Sequence, residues 1–128
     1  MKMPKGLPYP YNKVCKLQKS LYGLKQASRQ WHSKLANLLK NQGYTQSKHD
    51  YSLFLQSFAQ HLTIIAVYVD DILITSSNLV AFQLLKHNLH AAFGIKDLGL
   101  LHYFLQFEIS HLHDGVTLTK RKFTQDLL

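Results

Sequence analysis

Residues 62–74, LTIIAVYVDDILI, decide how the rest of the chain is interpreted. Two flanks rich in β-branched residues surround the adjacent pair Asp70–Asp71, and flanks of this kind are typical of β-strands. Two charges are costly inside a sheet, so the pair does not suit the middle of one long strand. A hairpin with Asp70 and Asp71 at its tip satisfies both tendencies, and we predict that structure.

Amphipathic helices are predicted on both sides of this hairpin. Upstream, apolar residues recur at spacings of three and four after Gly23 and as far as Leu39. Downstream, the polar run 76–78 offers N-caps for a second helix, whose apolar positions recur in the same way until Gly94. Both patterns indicate helices with one apolar face.

The remaining segments favour strands and turns. Alternating or aromatic-rich patterns predict an extended arm or short strand at 14–21 and strands at 51–58, 101–112 and 116–119. Asp114-Gly115 is a hairpin signal between the last two strands, and residues 120–128 have the pattern of a helix start. Residues 1–12 contain all three prolines and predict an irregular lead-in. The order of elements predicts an α+β fold in which two helices pack on an antiparallel sheet.

Positive charge is concentrated in the first part of the chain. The net charge is +8, and residues 1–48 contain ten Lys or Arg and no acid, whereas the other eighty residues carry five against seven acids. Such asymmetry points to a polyanion, most plausibly nucleic acid. No apolar run is long enough for a membrane span, and the single cysteine suits a reducing compartment. We therefore expect an intracellular protein, in the cytoplasm or nucleus, without a membrane partner.

The Asp70–Asp71 pair has the chemistry of a divalent-metal site. Adjacent carboxylates repel each other, and a hard cation such as Mg²⁺ relieves that repulsion through oxygen ligands. Mg²⁺ needs only one or two protein carboxylates when phosphates and water complete its coordination. Two such ions can activate a 3′-hydroxyl and stabilise a departing pyrophosphate.

Three segments together resemble the copia-type retrotransposon reverse transcriptases, which are RNA-dependent DNA polymerases. Tyr68–Asp71 matches the YxDD signature of these enzymes. Ser20–Ala27, followed by Arg29–Trp31, is similar to the segment just upstream of it, and Lys96–Gly99 with His102–Leu105 is similar to the segment downstream. Order and spacing match along nearly all of the chain, so the resemblance implies one partial palm domain over residues 1–128.

The resemblance implies roles for the matching residues. Asp70 would be the principal metal ligand, Asp71 its acidic partner, and Mg²⁺ or Mn²⁺ the cofactor. Tyr68 would lie against the primer terminus or the incoming nucleotide. Near the template or nucleotide would lie Lys25 and Gln26, and the hairpin that grips the primer would contain Tyr103, Phe104 and Leu105. The implied partners are an RNA or DNA template-primer, a deoxynucleoside triphosphate and the remaining segments of the polyprotein.

The sequence also departs from the family pattern. The fingers region and the first palm strand, which carries a third metal-binding Asp, have no counterpart here, because the first acidic residue is Asp50. The family usually has Pro at the position of Ser28 and Gly at the position of Gln106. Gln106 matters more. If its position requires a Gly-only backbone conformation or a close backbone approach, the Gln side chain would distort the primer-gripping hairpin. We expect an incomplete palm that does not extend primers alone.

Two alternatives remain open from the residues alone. The basic first 48 residues would suit a nucleic-acid-binding module without catalysis, whose affinity falls steeply with salt. The absent segments would also suit a non-functional relic of a retroelement.

Overall fold

The apolar hairpin around the Asp pair forms one half of a four-stranded antiparallel sheet. The computed structural model describes residues 12–127, with only the backbone of 122 and 123, together with Lys2, Lys5, Gly6 and Pro8. Its elements are α1 (Ala27–Asn41), β1 (Thr45–Gln46), β2 (Leu53–Phe58), β3 (His61–Tyr68), β4 (Asp71–Ser76), α2 (Leu79–Phe93), β5 (Tyr103–Phe104), β6 (Phe107–Leu112), β7 (Gly115–Thr119) and α3 (Arg121–Leu127).

The first sheet has the strand order β1-β2-β3-β4, and each strand is antiparallel to its neighbour. Phe54 pairs with Ile65, and Ile65 pairs with Ile74, so one row of large apolar side chains crosses three strands. The predicted hairpin is confirmed, because Tyr68 pairs with Asp71 at the end of β3.

Helices α1 and α2 cover one face of this sheet. The buried core is formed by Leu35, Ala36, Leu39, Tyr44, Phe54, Ile65, Val67, Leu85 and Leu89. The Asn78 side chain accepts bonds from the backbone N–H groups of Val80 and Ala81 at 3.0 and 3.1 Å, and α2 ends at Gly94 with φ +64°. Both predicted ends of α2 are therefore confirmed, since capping and a left-handed glycine are the usual helix boundaries.

The second sheet is three-stranded, with the order β5-β6-β7. The single strand predicted for residues 101–112 is wrong, because a turn at Leu105–Gln106 divides it into β5 and β6. Apolar periodicity did not show this turn, since apolar residues lie on both sides of it. The next turn is centred on His113–Asp114, one residue earlier than predicted, because Leu112 pairs with Gly115.

The chain before α1 differs most from the sequence prediction. Residues 14–21 form no strand, and α1 begins at Ala27 rather than directly after Gly23. Two successive turns occupy residues 21–27 instead, with Leu24 N–H bonded to the Leu21 carbonyl and Ala27 N–H to the Leu24 carbonyl. The predicted lead-in, residues 1–12, lies mostly outside the described residues.

The predicted combination of helices with antiparallel strands is confirmed as a mixed fold. The structure has two antiparallel sheets, whereas one was expected. The predicted helix at the end of the chain is present as α3. In the described part of the chain, no helix has both the length and the apolar character needed to cross a membrane.

Candidate metal and nucleic-acid site

The turn between β3 and β4 consists of Val69 and Asp70 alone, because Tyr68 and Asp71 are already paired. Val69 has φ +56°, a conformation that is unfavourable for a β-branched residue. A positive φ at the first central residue is the pattern of a type II′ turn, which usually has Gly there. Backbone strain of this kind costs about 1–3 kcal/mol and is typical of functional sites.

The Asp hairpin divides its side chains between the two faces of the sheet. Ile65 and Val67 are buried beneath the helices, so the alternation of a strand puts Tyr68 on the opposite face. Asp71 lies opposite Tyr68 and shares its face. Tyr68 is 53% exposed, and the structure therefore does not make it a core aromatic.

Neither carboxylate of the pair is neutralised by the described residues. Asp70 and Asp71 are exposed, and no hydrogen bond or ion pair of the described chain reaches them. Asp97 is different, because its bond from Lys86 and a further bond from the Gly99 N–H lower the pKa of its carboxyl. In the described chain, no three His, Cys, Asp or Glu side chains are grouped closely enough to hold a metal ion. The pair alone would therefore leave most of a metal's coordination to other groups.

Helix α1 begins toward the end of the sheet that carries the Asp hairpin. The His32 ring lies 6.3 Å from the Phe54 ring, in the row of Ile65. At the other end of α1, the Gln42 carbonyl accepts a hydrogen bond from the Gln56 side chain at 3.0 Å, and Gln56 pairs with Thr63, two residues nearer the start of β3. Because α1 runs toward the start of β3, its first residues point toward the end of β3 and the Asp pair.

Lys25 and Gln26 immediately precede α1, and both are exposed. Gln26 is the N-cap residue, yet its side chain makes no capping bond. The two residues are thus available at the start of a helix, where backbone N–H groups suit phosphate.

Helix α2 ends beside the start of α1. The rings of Trp31 and Phe93 meet edge to face at 6.1 Å. Beyond Phe93, the connecting segment is held back against α2 by an ion pair of 2.5 Å between the Lys86 Nζ and Asp97 Oδ2 atoms. The His90 ring contacts the Ile95 carbonyl at 3.0 Å. Sequence reasoning recognised the KDLG motif but did not assign this tethering role to Asp97, because Lys86 is eleven residues away on a helix.

The hairpin implied by the resemblance is present at β5 and β6. Phe104 pairs with Phe107 across the two-residue turn Leu105–Gln106. Both turn residues have positive φ, +50° for Leu105 and +68° for Gln106, which is the pattern of a type I′ turn. Gln106 therefore occupies a left-handed conformation that favours Gly, as its departure from the family pattern suggested.

The side chains of this hairpin differ in exposure. Tyr103 is 51% exposed and Leu105 is 43% exposed, whereas Phe104 is half-buried. Tyr103 and Phe104 are successive strand residues and face opposite sides of the sheet, so Phe104 is the aromatic of the pair that packs inward. No hydrogen bond or ion pair of the described residues joins this hairpin to the Asp pair or to the start of α1.

The family model of reverse transcriptase, described as RNA-dependent DNA polymerase, matches residues 1–128. The chain belongs to the reverse transcriptase family. The prediction from the three sequence motifs, a copia-type reverse transcriptase, is therefore confirmed. The two alternatives, a non-catalytic nucleic-acid-binding module and a non-functional relic, are not favoured.

Retroelement polyproteins are similar to this reverse transcriptase chain. It is 43% identical to the retrovirus-related Pol polyprotein from transposon RE1 of Arabidopsis thaliana, over 91% of the chain and 8% of the polyprotein. It is 38% identical to that from transposon TNT 1-94 of Nicotiana tabacum, over 85% of the chain and 8% of the polyprotein. The chain thus spans about a twelfth of these relatives.

A shorter relative covers almost the whole chain. The putative transposon Ty5-1 protein of Saccharomyces cerevisiae is 31% identical over 96% of this chain and 41% of that protein. No solved structure gives a significant match to the chain.

Proposed function

We propose that this chain contributes the YxDD hairpin of a polymerase palm to metal-dependent DNA synthesis by a reverse transcriptase. The observation that carries the proposal is the hairpin tip, where Asp70 and Asp71 are exposed beside Tyr68 and have no cationic partner in the described chain. Such a pair holds negative charge close together, and a divalent cation is the natural group to neutralise it.

Mg²⁺ fits the donor set, and Mn²⁺ is the alternative with the same ligand preference. Asp70 would be the principal ligand and Asp71 its acidic partner. When bound, the ion would activate the attacking 3′-hydroxyl and stabilise the leaving pyrophosphate. The strained turn at Val69 supports this assignment, because it fixes the adjacent Asp70 at the apex of a rigid sheet.

Template-primer and deoxynucleoside triphosphate are the proposed substrates. Tyr68 shares a face with Asp71 and is exposed, so its ring is free to lie against the primer terminus or the incoming nucleotide. Lys25 and Gln26 would contact the template or the nucleotide at the start of α1. The β5–β6 hairpin would hold the primer through the exposed Tyr103 and Leu105, and the half-buried Phe104 would support them from within the hairpin.

Other parts of the polyprotein would complete the metal site. Within the described residues, β4 pairs with β3 on one side and its other edge is unpaired. A strand added at that edge would lie beside Asp71 and could bring the third carboxylate that the family pattern requires. We therefore expect the chain alone to incorporate no nucleotide, because two ligands position a metal poorly.

The proposal can be tested by exchanging segments with a relative. This chain would replace the matching 117 residues of the RE1 polyprotein, and Mg²⁺-dependent primer extension would be measured. We expect synthesis by the chimera and a loss of at least about 100-fold in Asp70→Asn, since a missing metal ligand is at least as damaging as a missing supporting partner. The matched control is Asp114→Asn, which changes another exposed carboxylate in a hairpin turn and should retain synthesis.

Two results would contradict the proposal. Synthesis that persists in Asp70→Asn would remove the carboxylate pair from catalysis. An inactive chimera beside an active native polyprotein would mean that this chain cannot supply the palm hairpin.

A further inference from the structure

Tyr22 is the most exposed of the large hydrophobic side chains in the described part of the chain. It is 99% exposed, compared with 72% for Tyr51 and 53% for Tyr68. A tyrosine normally covers part of its ring with neighbouring apolar atoms, because the ring gains from burial. Both faces of the Tyr22 ring are therefore open to a partner.

The backbone holds Tyr22 in a defined turn. The Leu24 N–H bonds to the Leu21 carbonyl at 3.3 Å, and Gly23 has φ +84°. A positive φ at the third residue defines a type II turn, in which Tyr22 occupies the first of the two central positions. The ring is thus presented at the apex of a turn, where a side chain projects into solvent.

This turn is also fastened to α1. The Ser20 hydroxyl donates to the Gln30 side-chain oxygen, across the turn and the first helical residues. A second turn, Leu24–Ala27, follows directly and leads into α1. Little conformational freedom would remain to be lost when a ligand binds, which favours binding.

The surroundings of Tyr22 attract an anion. Lys19, Lys25 and Arg29 are exposed within seven residues of it, and no acidic residue precedes Asp50. A groove or surface that binds single strands combines cations for the phosphates with an aromatic ring on which a base stacks. Residues 19–29 combine the same two features at the start of α1.

We propose that Tyr22 is a stacking platform for an unpaired base of a single-stranded nucleic acid, whose phosphates the flanking cations attract. The inference rests on the proposed function for its setting, because α1 starts toward the end of the sheet that carries Asp70. It goes further, because it names an aromatic contact and requires the bound nucleic acid to be single-stranded. Duplex is excluded as the preferred ligand, because its bases are already stacked on each other.

Fluorescence anisotropy tests the proposal with the full chain and a fluorescein-labelled 12-nucleotide oligothymidylate or oligouridylate. Tyr22→Ala should weaken binding about 5-fold or more, as expected for the loss of one stacked base. Tyr22→Phe keeps the ring and should bind within about 2-fold of the wild type. The slope of log affinity against log salt should be unchanged in Tyr22→Ala, because no cation is removed.

Two controls separate stacking from other effects. Tyr51→Ala removes another exposed tyrosine, which lies outside residues 19–29, and should bind like the wild type. On an oligonucleotide of abasic sites, wild type and Tyr22→Ala should bind equally, since no base is present to stack. Circular dichroism should show the same fold for each variant, because both tyrosines are exposed.

Several outcomes would overturn the inference. These are no binding by the wild type, unchanged binding by Tyr22→Ala, an equal loss on a 12-base-pair duplex, or a Tyr22→Phe variant as weak as Tyr22→Ala. None of them would affect the proposed catalytic role of Asp70, which is measured by DNA synthesis. DNA synthesis by the Asp70→Asn chimera is a separate measurement, so the two proposals fail separately.

Discussion

The two sheets of this chain differ in how much of their apolar surface is covered. In the four-stranded sheet, Phe54 and Ile65 have no exposed surface and lie beneath two helices. In the three-stranded sheet, Ile109 is the only described residue that is buried, and every residue of β7 is exposed. Leu118 and Val116 remain 62% and 59% exposed. Burial of apolar surface is the main stabilising contribution to folding, so the first sheet gains far more.

This difference matters for the proposed reaction. The Asp hairpin extends from the well-packed sheet, where rigid strands can hold two carboxylates in fixed positions. The proposed primer-gripping hairpin belongs to the exposed sheet, where contacts with other segments or with nucleic acid would add the missing burial. The positions of the two hairpin carboxylates would therefore be intrinsic to the chain, whereas grip on the primer would depend on the partners.

Core truncation should give the largest difference between the sheets. Phe54→Ala should lower the free energy of unfolding by about 3–5 kcal/mol, because it removes a fully buried ring and leaves a cavity. Leu118→Ala should change it by no more than about 0.5 kcal/mol, since that side chain is mostly in solvent. Urea unfolding followed by the fluorescence of Trp31, which packs against the first core, measures both values.

A milder substitution covers the case in which Phe54→Ala does not fold. Ile65→Val should cost about 0.5–1.5 kcal/mol. Equal effects of Ile65→Val and Leu118→Ala would contradict the assignment of one strong and one weak core.

The turn at Gln106 offers a way to strengthen the weaker sheet. Gln106→Gly should stabilise it by about 0.5–1 kcal/mol, because relief of the left-handed conformation outweighs the greater flexibility of unfolded Gly. Slower hydrogen exchange at the Ile109 amide, which bonds to the His102 carbonyl at 2.8 Å, reports the change.

Gln60→Gly is the matched control, because Gln60 is also the second central residue of a two-residue turn but lacks a positive φ. It should destabilise the β2–β3 hairpin by about 0.5–1 kcal/mol. Stabilisation of both hairpins to the same extent would show that conformation at Gln106 is not the cause.

The smallest effect concerns the segment that connects the two sheets. The bond from Lys86 holds the pKa of Asp97 below its ordinary value of 3.8, so the folded state favours the ionised carboxyl. That stability is present above the ordinary pKa and is lost as the pH falls through the lower value of the folded state. Below about pH 4, the wild-type thermal midpoint should therefore fall slightly further than the thermal midpoint of Asp97→Asn.

Lys86→Gln removes the partner of Asp97. Its thermal midpoint should also fall less at low pH than that of the wild type, by a smaller margin than in Asp97→Asn. Identical acid profiles for the wild type and both variants would mean that the ion pair does not tether the segment measurably, as is common for exposed pairs.

Some features of the fold and of the candidate site could be predicted because they are written in local patterns. The β-branched flanks predicted the hairpin of β3 and β4. Asn78 and Gly94 predicted the ends of α2, since capping depends on nearby backbone groups. The turn at Gln106 was different, because a continuous apolar run does not reveal where the backbone reverses.

The sequence by itself determined the family, the Asp hairpin and the charge asymmetry, because each depends on residue type and spacing along the chain. Only the tertiary structure decided which face Tyr68 and Asp71 share, which end of the sheet α1 starts from, and that Asp97 is paired with Lys86. Those facts arise from contacts between residues far apart in sequence, which are fixed when the helices bury their apolar faces on the sheet.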